Sequence, residues 1–165
     1  MNVQITDTVK CTDPASEKNL RGGEENKIYL FVCTGNTCRS PMAAAVANHL
    51  LRDRGITAIS AGLSVPYPVP ISRNAVLALE KKGIEPTEKS DYRRHLSQPL
   101  TAELLQKADR VYGLTENHSF IILTSFPEYS EKLSPLGVSV PDPYGGDEAV
   151  YEKALDAIID AVKKL

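Results

Sequence analysis

Apolar and polar positions alternate along this chain in two rhythms, one of strands and one of helices. Ile28, Tyr29, Leu30, Phe31 and Val32 form a short apolar run rich in strand formers. After Pro41, which suits a first helical turn, Ala43, Val46, Ala47, Leu50 and Leu51 recur at helical spacing and end near Arg54-Gly55. Ile56 to Ala61 reads as a second strand. Ala75, Val76 and Leu79 stripe a second helix that stops at Gly83. Thr101 is placed to cap a helix running through Ala108, with Glu103 near its positive end. Arg110 to Leu114 then predicts a third strand, Glu116 to Ser125 a helix, and Leu133 to Leu136 a brief fourth strand. Tyr151, Ala154, Leu155, Ile158, Ile159 and Val162 mark a final amphipathic helix. Strands alternating with helices predict an α/β fold: a three-layer, doubly wound sandwich around a four-stranded parallel sheet. In such a sheet the ligand lies beyond the carboxyl end of the first strand.

The first 26 residues break the rhythm. Asp, Glu, Lys, Thr, Ser, Asn and Gly dominate them, so 1–26 reads as a flexible extension and 27–165 as one domain. Cys11, within it, reads as a bystander thiol. A formal net charge of −2 and a pI of about 5.9 argue against a nucleic-acid partner. No apolar run is long enough to span a bilayer, and the polar start carries no secretory signature, so neither a membrane nor export is expected. Three cysteines, two of them in one short loop, suit a reducing cytoplasm rather than a disulfide-stapled domain.

That loop carries the chemistry. Cys33-Thr34-Gly35-Asn36-Thr37-Cys38-Arg39-Ser40-Pro41 falls where the first strand gives way to the first helix. Gly35 and Asn36 most readily take left-handed backbone, which turns successive N–H groups inward, and the helix adds its positive end. The result is an anion cradle of phosphate size, expected to engage Thr34, Gly35, Asn36, Thr37, Cys38 and Arg39. Cys33 stands on its rim, where the same dipoles stabilise negative charge on sulfur and make a nucleophile. Arg39 can offer a phosphate two parallel N–H bonds, which lysine cannot. Ser40 can donate to the sulfur and ease its departure.

Phosphoryl displacement also needs an acid for the leaving atom and a base for water. Val140-Pro141-Asp142-Pro143-Tyr144-Gly145-Gly146 supplies one carboxylate on a shaped loop, with an aromatic ring two residues on. Pro-Asp-Pro and Gly-Gly are common turn punctuation. Paired with the cysteine loop, Asp142 is the expected acid.

Taken together, these loops give a chain that resembles the low-molecular-weight protein-tyrosine phosphatases, and within them the bacterial protein-arginine phosphatase branch. Softer matches are Ser60-Ala61-Gly62, His95-Leu96-Ser97 leading into Pro99-Leu100-Thr101, and Ala108-Asp109. The resemblance runs from about Lys27 to Leu165. It implies Cys33 as nucleophile, Arg39 as phosphate clamp, Asp142 as acid and base, and Asn36, Ser40, Ser60 and His95 as the network holding the loop. It implies no cofactor and no metal, phosphorylated proteins as substrates, and a monomer.

The branch rests on few residues. Thr37 stands where tyrosine phosphatases of the family usually carry isoleucine or leucine. Tyr144 is followed by Gly145 and Gly146 rather than by a second aromatic wall. Thr37 and Tyr144 are therefore the expected specificity residues, with phosphoarginine favoured over phosphotyrosine. The arginine branch itself typically has phenylalanine where Tyr144 stands, and the family often has glutamate at Ala44. Cys38 shares the loop with Cys33 and is the expected redox partner. Rival functions fit less well. A same-fold arsenate reductase needs further cysteines, and none follows Cys38; a phosphocarrier domain lacks the arginine clamp. A phosphate-binding module has no reason to face a thiol with a carboxylate. A nucleotide-binding Gly-Lys-Ser/Thr loop is absent. His49 reads as a surface or core-edge residue, His118 as a helix-start residue, and Arg93-Arg94 as solvated.

Overall fold

The computed structural model describes residues 25–165. Cys11 and most of the extension expected over 1–26 lie outside the described residues. Of that segment Glu25 and Asn26 are described, and Asn26 Oδ1 accepts a hydrogen bond from Thr57 Oγ1 at 2.9 Å.

Three parallel strands form the sheet, in the order β2-β1-β3: β1 is Lys27–Cys33, β2 Ile56–Gly62 and β3 Arg110–Gly113. The apolar run is the central strand, covered on both sides, which is why it is unbroken. Its residues alternate between two cores. Tyr29, Phe31 and Cys33 pack with α1 (Arg39–Leu50), α2 (Arg73–Lys81) and α5 (Glu148–Val162). Leu30 and Val32 point the other way, against α3 (Ala102–Lys107) and α4 (Glu116–Ser125). Leu30, Phe31 and Val32 are fully buried, each contributing about 1.5–3 kcal/mol of transfer free energy.

The expected fourth strand is not there. Leu133 makes a single parallel bridge to Val111, and Ser134 N donates to Val111 O at 2.9 Å. The next ladder bond would run from Leu136 N to Gly113 O and is not made, the chain turning off at Gly137 in left-handed conformation, φ 81°. Among the described residues the sheet therefore has three strands rather than four. At the opposite edge, Asn48 of α1 closes β2 with its amide: Nδ2 donates to Ala58 O at 2.9 Å and Oδ1 accepts from Ala58 N at 2.8 Å. A side chain here occupies the hydrogen-bonding positions of a neighbouring strand.

Helix ends follow the expected signals. Thr101 Oγ1 caps α3 by accepting from Leu104 N, Thr115 Oγ1 caps α4 through His118 N, and Asp147 caps α5 through Val150 N. Gly55 and Gly83 terminate their helical segments in left-handed conformation, at φ 67° and 70°. Among the described residues no helix is long and apolar enough to cross a membrane. Because β2 and β3 flank β1 on opposite sides, the chain reverses direction across the sheet at the carboxyl end of β1.

Candidate active site

The loop 34–38 leaves β1 at that reversal point and enters α1 directly. Asn36, not Gly35, supplies its left-handed residue, at φ 56°. The expectation had covered both residues. Asn36 alone bends this way because its side chain is anchored on every side. Its Nδ2 donates to Ser40 Oγ at 2.8 Å and to Ser60 Oγ at 2.9 Å, while Oδ1 accepts from Gln98 N at 2.9 Å. Asn36 is completely buried, so those bonds are made without competition from water. His95 Nε2 lies 2.9 Å from the Asn36 carbonyl oxygen. Burial pushes His95 below the usual histidine range, against the upward pull of that carbonyl. Its neutral ring then donates through Nε2.

Gly62, the register partner of Cys33, lets the loop pack this closely. A Cβ there would stand 2.7 Å from the Thr34 carbonyl oxygen and 3.0 Å from Asn36 Cβ. Ser64 N and Ser72 N then clamp the loop carbonyls of Thr34 and Thr37 at 2.9 and 2.8 Å. The carbonyls thus face outward and the amides inward. Among the described residues no protein group accepts from the amides of Gly35, Thr37 and Cys38. Donors left free in this way around one point are what an anion requires.

Cys33 Sγ is buried at the base of this arc. It accepts from Asn36 N at 3.3 Å and lies 2.9 Å from Ser40 Oγ. Ser40 Oγ also lies 3.3 Å from Ala61 O, so its one proton can turn from the carbonyl to a thiolate. Arg39 opens α1 with its guanidinium buried. Nη1 donates to Val140 O at 3.3 Å, and Nη2 meets Asp142 Oδ2 at 3.2 Å. Asp142 Oδ1 in turn accepts from Tyr144 N at 3.2 Å, the local turn that shapes the Pro-Asp-Pro loop. Loop and carboxylate enclose a cavity of about 210 Å³, with the exposed ring of Tyr144 on its wall. Cys33, Arg39 and Asp142 are therefore brought together from residues over a hundred positions apart.

Cys38 turns elsewhere. It is buried, and its Sγ lies 3.2 Å from Tyr151 OH of α5, which also accepts from Ser72 Oγ at 3.0 Å. Burial and Cys38 raise the Tyr151 hydroxyl to about 12. Tyr151, Ser72 and Gln98 went unnoticed in the sequence, where Tyr151 is one more member of an amphipathic stripe. His118 was read only as a helix start. Its ring is buried against the loop, with Nε2 3.0 Å from Thr34 Oγ1 and Nδ1 3.0 Å from Thr115 Oγ1. Among the described residues no group of three or more His, Cys, Asp or Glu is placed to hold a metal ion.

Burial, and then the Arg39 charge, push His118 from 6.5 down to about 4, against the opposing pull of Asp142. Between these values the unfolded chain binds a proton that the folded chain refuses, so stability rises with pH across the window. The full contribution is present above about 6.5 and is lost as pH falls toward 4. Its size is on the order of 3 kcal/mol. Urea unfolding at pH 7 and pH 4 is expected to show this loss, and His118→Gln to lack that part of the slope. An unchanged slope in the variant would assign the acid sensitivity elsewhere.

Comparison with known proteins agrees with this geometry. The chain is 34% identical over 145 residues to a protein-arginine-phosphatase of Bacillus subtilis, covering 82% of this chain and 92% of the relative. It is 34% identical over 133 residues to a low-molecular-weight protein-tyrosine-phosphatase of Acinetobacter johnsonii, with coverages of 77% and 87%. Among solved structures, it is similar to an arginine phosphatase, YwlE, whose active-site cysteine was changed to serine and carries a phosphate. That similarity has a TM-score of 0.72 at 33% identity, covering 83% of this chain and 91% of the other. The family model described as low molecular weight phosphotyrosine protein phosphatase matches residues 28–165, and with the cysteine loop, the buried arginine and the facing aspartate in place, it is to this family that the chain belongs.

Proposed function

We propose that residues 27–165 form a cytoplasmic protein-arginine phosphatase, acting as a monomer without cofactor. Cys33 thiolate attacks phosphorus in line with the P–N bond, while Arg39 and the inward amides hold the equatorial oxygens. As that bond breaks, Asp142 protonates the departing guanidine nitrogen. Water then attacks the phosphocysteine, the S–P bond breaks, and Asp142 takes the water proton. Ser40 Oγ, 2.9 Å from the sulfur, stabilises the thiolate at both ends of the cycle. Oxidation of Cys33 to sulfenic acid by peroxide would be resolved by Cys38 once its thiol leaves Tyr151 OH, with water leaving as the disulfide forms.

The observation carrying the arginine preference is the cavity wall. The polar residue Thr37 lines it, and the backbone past Tyr144 gives no second aromatic wall: Gly145 sits at φ 77°, which disfavours a bulky side chain. A hydroxyl can meet the polar phosphoguanidine, whereas a phenyl ring gains from two apolar walls. The relatives named as arginine phosphatases support the same choice. The single exposed ring of Tyr144 favours phosphotyrosine as the second reading.

Release of phosphate from phosphoarginine and phosphotyrosine peptides of equal sequence tests this. The wild type is expected to prefer phosphoarginine, and Thr37→Ile to shift the ratio of kcat/KM values about tenfold toward phosphotyrosine. An unchanged ratio would return the chain to the tyrosine phosphatase reading.

A further inference from the structure

We infer that His118 is a positioning residue that holds the Thr34 hydroxyl as a hydrogen-bond donor toward the phosphoryl group in the cavity. The inference rests on reading that cavity as a phosphoryl site. It follows from counting protons along a short chain of groups. Thr115 Oγ1 accepts the His118 backbone N–H at 3.2 Å, as the cap of α4. Its one hydroxyl proton is then free to point at His118 Nδ1, 3.0 Å away. A neutral imidazole that accepts at Nδ1 carries its proton on Nε2. Nε2–H therefore donates to Thr34 Oγ1, 3.0 Å away. With its oxygen so engaged, Thr34 must send its own proton elsewhere. Thr34 lines the same cavity as Cys33 and Arg39, and a phosphoryl oxygen there completes the chain with every proton matched to an acceptor.

The fold is arranged to bring these groups together. Gly113 is the register partner of Val32, one residue before Cys33. A Cβ at Gly113 would stand 2.5 Å from Ser119 Oγ, 2.6 Å from Ser119 N and 3.1 Å from His118 Cβ. Only glycine at the end of β3 allows the first turn of α4 to press against the loop. His118 is 3% exposed, so water does not compete for either ring nitrogen. Burial and the neighbouring Arg39 keep the ring neutral well below pH 7, and the direction of donation is fixed throughout the working range. The opposite tautomer would accept from Thr34 and leave the cavity without this donor.

Inorganic phosphate binding by the full chain, followed by titration calorimetry, tests the relay without depending on the leaving group. Thr34→Val is expected to weaken phosphate about tenfold, the scale of a hydrogen bond to a charged acceptor. His118→Leu is expected to weaken it equally, and the double variant no further, because both changes remove one donor. His118→Gln, whose amide nitrogen can stand where Nε2 stood, is expected to stay within about twofold of wild type. Nitrogen NMR of the wild-type ring should show the Nε2–H tautomer. Losses that multiply in the double variant, full affinity in Thr34→Val, or an Nδ1–H ring would each overturn the relay while leaving the phosphatase reading standing. Failure of the wild type to bind phosphate would overturn both. Should His118→Leu not fold, Thr34→Val and the tautomer still decide.

Discussion

Cys33→Ser is expected to lose turnover by on the order of 10⁴-fold or more while keeping the folded cavity. The side chain loses little volume, and Ser40 Oγ and Asn36 N remain beside the new hydroxyl. The difference lies in ionisation and departure. A thiolate is accessible near neutral pH and is a good leaving group from phosphorus; an alkoxide is neither. The two half-reactions should fail unequally. The first can still proceed slowly, with the arc of amides and Arg39 supplying the electrostatics, and the second stalls because a serine phosphate ester is stable. The solved arginine phosphatase carrying phosphate on a substituted serine shows that such an ester can persist in a relative. Intact-mass measurement of Cys33→Ser after incubation with a phosphoarginine peptide is expected to find one added phosphate, and the acid-quenched wild type to carry it on Cys33. Substantial turnover in the variant would sink the covalent mechanism.

Asp142→Asn should slow turnover by roughly a hundredfold to ten-thousandfold on substrates whose leaving group needs a proton. The carboxylate stands 3.2 Å from Arg39 Nη2 with its side chain 56% exposed, so it is both aimed and accessible to water. The amide keeps the shape and the Tyr144 turn but can neither give nor take a proton. With an aryl phosphate whose leaving group departs as a stable anion, the first step should be nearly spared and the loss confined to hydrolysis. Rapid-mixing kinetics would then show a burst of the aryl product followed by slow turnover. A first step slowed equally for good and poor leaving groups would mean that Asp142 acts only by holding Arg39.

The strand, loop and helix that carry the cysteine were legible because their signals are local: an apolar run, a loop of small and polar residues, a proline at the helix start. So was the carboxylate loop, marked by prolines and glycines. The fourth strand was misread because the apolar and small residues around Pro135 look like a strand locally, and only the pairing with β3 shows that the ladder stops after one bridge. Gly35 was misread for a related reason. Glycine permits left-handed backbone, but what imposes it here is the Asn36 side chain, tied to Ser60 and Gln98 from distant segments. Tyr151 meets Cys38 across 113 positions and His118 meets Thr34 across 84. Nothing in either local pattern foretells the partner, since such pairs exist only after the helices have packed.

The position of Cys33 has a bearing on how the enzyme wears out. Cys33 ends the central strand, whose two faces belong to the two separate cores and whose neighbours hydrogen-bond it on both edges. A partial opening that freed this strand would have to dismantle both cores at once, so the sulfur is guarded by the cooperativity of the whole domain and not by a lid. While the sulfur stays reduced, heat inactivation should accordingly track global melting, with no inactive yet folded species on the way, and the reduced site's lifetime is the lifetime of the fold.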